Sequence, residues 1–528
     1  MTPKNHNKPV LLVSNLKFRY PEQDKPVLDN INLKLYRGEL RVIVGPSGSG
    51  KSTILNTLCG FIPHSIDGEL SGEIRIDGNE IRNKSIYEIA KDISLVQQDP
   101  DGQLCTSDVY HEVAFALENF LVPVKEIKAR VRKILEKLGI LHIQHRKLHT
   151  LSGGEKQKVA IASMLVLKPK VLVFDEPTAN LDPNSARGFI EFLNYLKQET
   201  KVGILIVDHN PSQYFLIADH ILFLNHGRIE HKYRSHEFKV FNEHYYNKIF
   251  QVKNEKNSIQ RVEDLNQYWK KIKVGAESGK ILKISNLNFK YNSNSVLKNI
   301  NLTIGRGEFI GLMGNNGSGK TTLIQNIMGL IGKNKGVIIY QFNGSKMYKK
   351  NTSELSENIG YVFQNPNHMI FGNTVWDEVM IGPKNFNKNL QAAVNKASNL
   401  LTLGGLSNYI HTHPMLLSYG EKRRLNLAAI LSYDPELIIL DEPFIGQDPE
   451  NVLKIIKYLL QVISIGKSVL MVTHRSDIVH EFCNRLIFLK DGEIILDGPV
   501  NETFNRLSGL GEYSYLPQTE KNFAKYKG

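Results

Sequence analysis

Two stretches of this chain, "GPSGSGKST" at 45–53 and "GNNGSGKTT" at 314–322, combine glycines, a lysine and hydroxyls at a spacing suited to phosphate chemistry. Both fit G-x-x-x-x-G-K-[ST]. Glycines let successive backbone N–H groups converge on phosphate oxygens, and a helix beginning there adds its positive N-terminal end. Lys51 and Lys320 can then reach outer phosphates, while Ser52 and Thr321 can ligate Mg2+. The expected cradles are Gly45, Pro46, Ser47, Gly48, Ser49, Gly50, Lys51, Ser52 and Thr53 in one copy. In the other they are Gly314, Asn315, Asn316, Gly317, Ser318, Gly319, Lys320, Thr321 and Thr322.

Carboxylates supply the second half of that chemistry. "KPKVLVFDEP" and "PELIILDEP" are apolar runs that turn polar only at Asp175–Glu176 and Asp441–Glu442. A carboxylate ending a buried strand needs a reason to be there, and a direct or water-mediated link to Mg2+ supplies one for Asp175 and Asp441. Glu176 and Glu442 come next, placed to orient or deprotonate a water attacking a terminal phosphate. His209 and His474 follow those glutamates by 33 and 32 residues, each at the end of another apolar run, and can contact the same phosphate.

The elements that must hold these groups are legible in outline. "LLVSNLKFRY" and "ILKISNLNFK" alternate like half-buried strands. The glycine-rich loops lead into helical patterns, "STILNTLCGF" and "TTLIQNIMGL". Fully apolar strands with ligand groups at their carboxyl ends belong to parallel sheet in an α/β domain. "HILFLNHGRIEH" and "RLIFLKDGEIILDG" read as hairpins turning at Gly227 and at Asp491-Gly492. The chain is also a tandem duplication. Six short matches recur in the same order, and equivalent residues such as Lys51 and Lys320, or His209 and His474, are separated by 265 to 269 positions.

Bulk properties fit two globular domains. A length of 528 residues exceeds what one core holds. Composition is ordinary: 41% hydrophobic and 23% charged. No apolar run approaches the roughly 18 residues of a membrane span, and "MTPKNHNKPV" has no signal-peptide core. Three scattered cysteines build neither a disulfide framework nor a metal knuckle and suit a reducing cytosol. The net charge of +13 is dispersed, without the like-charge blocks of a nucleic-acid tail. His142, His145 and His149 lack a Cys or carboxylate companion and read as surface polar residues. Expected boundaries are 1–235 for the first domain, 236–278 for a linker with the first domain's tail, 279–503 for the second domain and 504–528 for a C-terminal tail.

Each half resembles the nucleotide-binding domain of an ATP-binding cassette (ABC) protein. The resemblance implies an α/β fold: two tandem P-loop domains, each with a mostly parallel sheet core, an antiparallel β part and a helical subdomain. It implies ATP and Mg2+ as ligands. Tyr20 and Tyr291 would stack on adenine, and Gln98 and Gln364 would sense Mg2+ and the membrane partner. Ser152, Gly153, Gly154 and Glu155 would form one signature turn, and Ser418, Gly420 and Glu421 would mark the other. "ANLD" at 179–182 and "IGQD" at 445–448 would cross between paired halves, so that both ATP sites form within one chain.

A cassette pair without a span drives a separate membrane transporter or acts, as a soluble ATPase, on ribosomes or DNA. "DEPTANLD" and the absence of a sustained charged helical linker favour transport. "QQDPDGQLCTSDVYHEVAFALENF" at 97–120 resembles the ATPases of energy-coupling factor (ECF) importers, where a "PD-x-Q" segment engages the membrane T component. Asp101 and Gln103 match it; Asn367 and Met369 stand there in the second half, so the halves would dock on non-identical membrane helices. The implied protein is a peripheral subunit on the cytoplasmic face, partnered by a T component and a substrate-binding S component, with no nucleic acid. Its cargo would be a vitamin, a cofactor precursor or a transition-metal ion.

One departure stands out. Tyr419 occupies the position of Gly153. If that position requires a left-handed backbone, the tyrosine costs about 1–2 kcal/mol. The ATP site closed by "SYGE" is then expected to be weakened, and Glu442→Gln to reduce turnover more than Glu176→Gln.

Overall fold

The computed structural model describes residues 8–21, 23–98, 100–151, 153–179, 181–209, 211–234, 237, 279–291, 294–331, 335–342, 345–348 and 352–517. The chain divides into two compact units, Met1–Ile249 and Phe250–Gly528. Nearly all of the expected linker, 236–278, lies outside the described residues, as does the tail beyond 517.

The first unit contains β1 (Leu11–Arg19), β2 (Leu28–Leu35), β3 (Leu40–Val44), β4 (Glu69–Ile76), β5 (Asn79–Glu80) and β6 (Ile93–Val96). It continues through β7 (Val171–Asp175), β8 (Gly203–Val207), β9 (His220–Asn225) and β10 (Arg228–Arg234). A four-stranded antiparallel sheet has the order β2-β1-β4-β5, and a six-stranded sheet the order β10-β9-β3-β8-β7-β6. In the latter every pair is parallel except β9–β10.

β7 is buried from Val171 to Phe174, and alternation assigns its side chains to opposite layers. Leu172 and Phe174 join Val113, Leu135 and Leu193 of the helices, whereas Val171 and Val173 pack with Ile54 and Leu58 of the helix after the glycine-rich loop. Burial on both faces explains why the sequence shows continuous apolar runs here. The turn from β9 to β10 uses left-handed His226 and Gly227, the pairing that a two-residue hairpin of matching twist requires.

The second unit repeats this plan. Its strands are β11 (Lys280–Tyr291), β12 (Asn294–Gly305), β13 (Phe309–Met313), β14 (Lys335–Phe342), β15 (Ser345–Tyr348) and β16 (Ile359–Val362). They are followed by β17 (Leu437–Asp441), β18 (Ser468–Val472), β19 (Arg485–Lys490) and β20 (Glu493–Pro499). The sheet orders, β12-β11-β14-β15 and β16-β17-β18-β13-β19-β20, match those of the first unit. The expected boundary at 503 falls inside the helix Val500–Gly509. Phe504, Leu507, Tyr515 and Leu516 lie in the second core, so the domain continues beyond it because these apolar side chains are part of its packing. Among the described residues no helix is long and apolar enough to cross a membrane.

Candidate nucleotide sites

Sheet order converts distant sequence positions into neighbours. β3 leads to Gly45, β8 to His209, β7 to Asp175–Glu176 and β6 to Gln98, and these parallel strands lie side by side in that order. Their carboxyl ends share one edge, the usual ligand edge of such sheets. β13, β18, β17 and β16 do the same for Gly314, His474, Asp441–Glu442 and Gln364.

The two loops are built by steric necessity. A Cβ on Gly45 would stand 2.0 Å from the Leu224 carbonyl oxygen, and one on Gly314 2.0 Å from that of Leu489. Gly50 and Gly319, with φ of 102° and 103°, precede the helices Lys51–Leu58 and Lys320–Ile327. Lys51 Nζ donates to the Gly45 and Pro46 carbonyls at 2.9 and 2.8 Å, and Lys320 Nζ to those of Gly314 and Asn315 at 2.7 and 2.9 Å. Each ammonium is thus folded over the loop that precedes it. Ser49 Oγ and Ser318 Oγ are buried without a hydrogen-bond partner, which suits a cradle shaped for added acceptor oxygens.

Glu176 and Glu442 adopt left-handed backbones, φ 43° and 47°, uncommon for residues with a Cβ. The Glu176 N–H donates to the Val207 carbonyl and that of Glu442 to Val472, which turns each carboxylate toward the histidine just beyond. His209 Nε2 lies 2.9 Å from Glu176 Oε1, and His474 Nε2 3.2 Å from Glu442 Oε1. Gln98 Nε2 donates to Glu176 Oε2 at 3.2 Å, whereas Gln364 is exposed.

The carboxyls differ in charge preference. Burial, then Glu176, pushes the Asp175 carboxyl up to about 6. Burial raises Asp441 too, against a hydrogen bond from Tyr361 and the charge of Lys320. Burial also opposes ionisation of Glu176, but the charge and hydrogen bond of His209 and the charge of Lys51 hold it below its ordinary value. Glu442 is raised by burial and by Asp441 beyond what Lys320 and the His474 N–H offset. Buried carboxyls drawn toward the neutral form fit a site in which a bound cation would balance their charge. Among the described residues no three His, Cys, Asp or Glu side chains converge to hold a metal alone. Ser52 and Thr321 lie in the first turn of the helices after the loops, and Gln98, Asp175, Gln364 and Asp441 stand at or just beyond the ends of β6, β7, β16 and β17.

Tyr20 and Tyr291 stack edge-on against Phe18 and Phe289, at 4.8 and 4.9 Å between centroids. Their hydroxyls face the helices after the loops, at Thr53 Oγ1 (3.4 Å) and Gln325 Oε1 (3.1 Å). Ser152 lies outside the described residues; Gly153, Gly154 and Glu155 begin the helix Gly153–Leu165. Ser418 caps the helix Tyr419–Ser432 in a reciprocal box with Glu421.

Two expectations change. Gly153 and Tyr419 each open a helix, and neither is left-handed; a Cβ on Gly153 would meet nothing within 4 Å. Tyr419 therefore carries no left-handed strain. Gln103 is occupied internally: its side-chain oxygen accepts from the Gln97 N–H at 3.0 Å and its amide donates to Leu95 O at 3.2 Å. Met369 does the first of these jobs in the second half, its sulfur accepting from the Phe363 N–H. Nine residues beyond Gln103 and Met369, Glu112 and Glu378 are buried clips, accepting from the N–H groups of Cys105 and Thr106, and of Phe371 and Gly372.

Several participants were not singled out from sequence. Tyr361 donates to Asp441 Oδ2 at 3.1 Å, where the first half has Leu95. Buried Tyr515 hydrogen-bonds Asn315 Oδ1 in the second loop. Buried Asp208 accepts from Tyr214 at 2.6 Å and from Thr178 at 3.3 Å, where the second half has Thr473 and Phe444. Halves aligned on their shared motifs display the Leu95/Tyr361 and Asp208/Thr473 differences, but not what they touch.

A family model described as "ABC transporter" matches residues 28–179 and again 297–445. This chain belongs to the ABC transporter family. A "Putative ABC transporter ATP-binding protein" of Methanosarcina mazei is 33% identical over 95% of this chain and 91% of its own length. The "Putative HMP/thiamine import ATP-binding protein YkoD" of Bacillus subtilis is 31% identical over 96% of this chain and 94% of its own. The solved structure of cbiO1 from Clostridium perfringens, described as part of the ABC transporter complex cbiONQ, aligns with a TM-score of 0.41 at 32% identity, over 49% of this chain and 100% of that one. The fold is the α/β P-loop ABC fold, present twice, and the family's ATP-binding domain is an ATPase.

Proposed function

We propose that this protein is the ATP-hydrolysing, energy-coupling subunit of an ECF-type membrane importer. Its cargo class would be a vitamin, a cofactor precursor or a transition-metal ion. The observation that carries the ATPase reading is the duplicated edge itself: a loop lysine, an Asp–Glu pair and a histidine at adjoining strand ends in both halves. Support for import is the full-length similarity to a relative named for HMP/thiamine import. The segment around Asp101 supports a T component as partner, with an S component selecting cargo, at the cytoplasmic membrane face.

In this reading Lys51 and Lys320 leave their loop carbonyls for phosphate oxygens, and the loop N–H groups and helix ends complete the cradle. Tyr20 and Tyr291 hold adenine. Mg2+, which neutralises charge developing on the phosphates, would be held by Ser52, Gln98 and Asp175, and by Thr321, Gln364 and Asp441. Glu176 and Glu442 orient the attacking water and draw its proton, with His209 and His474 fixing the carboxylate and the γ-phosphate. The family resemblance further implies that the halves pair within the chain, each signature turn completing a site.

Co-expression with membrane proteins encoded beside this gene tests the assignment. A polytopic partner should co-purify, and Asp101→Ala should weaken that complex while ATP binding persists. Co-sedimentation with ribosomes that survives removal of membranes would instead support a soluble tandem ATPase.

A further inference from the structure

Tyr419, free of backbone strain, has a contact of its own. The residue is 40% exposed, and its hydroxyl donates to the main-chain carbonyl of Gln364 at 3.3 Å. One helical turn on, Arg423 is 1% exposed, with its guanidinium 5.7 Å from the centre of the Tyr419 ring. Residues four apart on a helix face the same way, and a guanidinium over an aromatic face is attracted to it. Arg423 donates to the Phe363 carbonyl at 2.6 Å and to the Gln364 carbonyl as well. Two side chains of one helix therefore grip the backbone just where β16 ends and Gln364 begins.

The first half is wired differently. Gly153 has no side chain, and Gln157, in the place of Arg423, donates to the Pro177 carbonyl beside Glu176. Gln98 meanwhile reaches Glu176 directly. A fork-shaped, always charged donor is well suited to hold two successive carbonyls at once. Burial works against the charge of the guanidinium, and Tyr419, then Asp441 and Glu442, offset part of that cost, while the two carbonyls accept its N–H groups.

We infer that Tyr419 and Arg423 are positioning residues for Gln364, tying its backbone to the start of the signature helix within the second half. Tyr419 then acts on the site containing Lys320 and Glu442, through Gln364. This deepens the proposed nucleotide reading and rests on it for the ligand, though not for the contact.

Two measurements on the full chain test the tie. The first needs no nucleotide: Tyr419→Phe, which keeps the ring, should speed amide hydrogen exchange across 361–367 while 95–98 stays as it was. Unchanged exchange at 361–367 overturns the inference whatever the protein binds. The second uses Lys51→Ala and Lys320→Ala chains, which confine ATP binding to one half or the other. Adding Tyr419→Phe should raise the Mg2+ concentration for half-maximal ATP binding about fivefold in the Lys51→Ala chain, the equivalent of one neutral hydrogen bond. Arg423→Lys, which keeps the charge but loses the fork, should shift it the same way. An equal or larger shift in the Lys320→Ala chain would overturn the inference, because Tyr419 would then act on the other half's site. Failure of both lysine variants to lose ATP binding would sink the nucleotide reading alone, and the exchange result would still decide the tie.

Discussion

Glu176 and Glu442 share a left-handed backbone and a histidine partner, yet the two sites treat them differently. Around Glu176, a half-buried Gln98 donates to the carboxylate, and His209 and Lys51 favour its charge. Around Glu442, burial and Asp441 favour the proton, Tyr361 braces the aspartate, and the backbone of Gln364 is held from the signature helix. A duplicated frame preserves where groups sit; substitutions beside the frame retune how readily they ionise and move.

The largest expected effect removes both sites. The double variant Lys51→Ala, Lys320→Ala should lose ATP turnover by at least about 10²-fold, the scale for deleting a preorganised charge donor. Turnover near that of the unmodified protein would refute the nucleotide assignment in both halves.

Next is the cost of burying a carboxylate. Asp175 rises from an ordinary 3.8 to about 6 on folding, a displacement that amounts to about 3 kcal/mol. A carboxyl whose folded pKa is raised favours the native state fully below its unfolded value. That advantage is lost as pH climbs through about 6. Asp175→Asn should therefore stabilise the nucleotide-free chain at pH 7, by up to about 3 kcal/mol, and bring no gain below pH 4. Chemical denaturation at both pH values checks this, and a loss of stability at pH 7 would contradict it.

A smaller effect separates the glutamates by pH. A general base works only when ionised. Turnover left in Glu176→Gln, carried by Glu442, should fail on acidification at a higher pH than turnover left in Glu442→Gln. Near pH 6 the two variants should differ by up to about tenfold, roughly 1.4 kcal/mol. Superimposable acid limbs would mean that the sites are equivalent. With no left-handed strain at Tyr419, the expected order of losses reverses: near pH 6, Glu176→Gln should reduce turnover more than Glu442→Gln.

The smallest effect is decided by its sign. Relief of left-handed strain would make Tyr419→Gly stabilising by about 1–2 kcal/mol. Tyr419 instead opens a helix and donates to Gln364, so the glycine should destabilise the second unit by about 1 kcal/mol.

What the sequence determined by itself is the local grammar. Glycines at 45, 50, 314 and 319, apolar runs ending in Asp–Glu, and an order repeated after some 265 residues specify loops, buried strands and a duplicated α/β frame. These are properties of contiguous residues, where backbone freedom and burial pattern act directly on the chain. Tertiary structure alone decided which partners these groups have. Tyr361 meets Asp441 across 80 positions, Tyr515 meets Asn315 across 200, and Tyr419 meets Gln364 across 55. It also turned Gln103 inward and carried the second core past 503. Hydrogen-bond direction and ionisation depend on what strand order brings within about 3 Å, and the spacing of those residues along the chain carries no record of it.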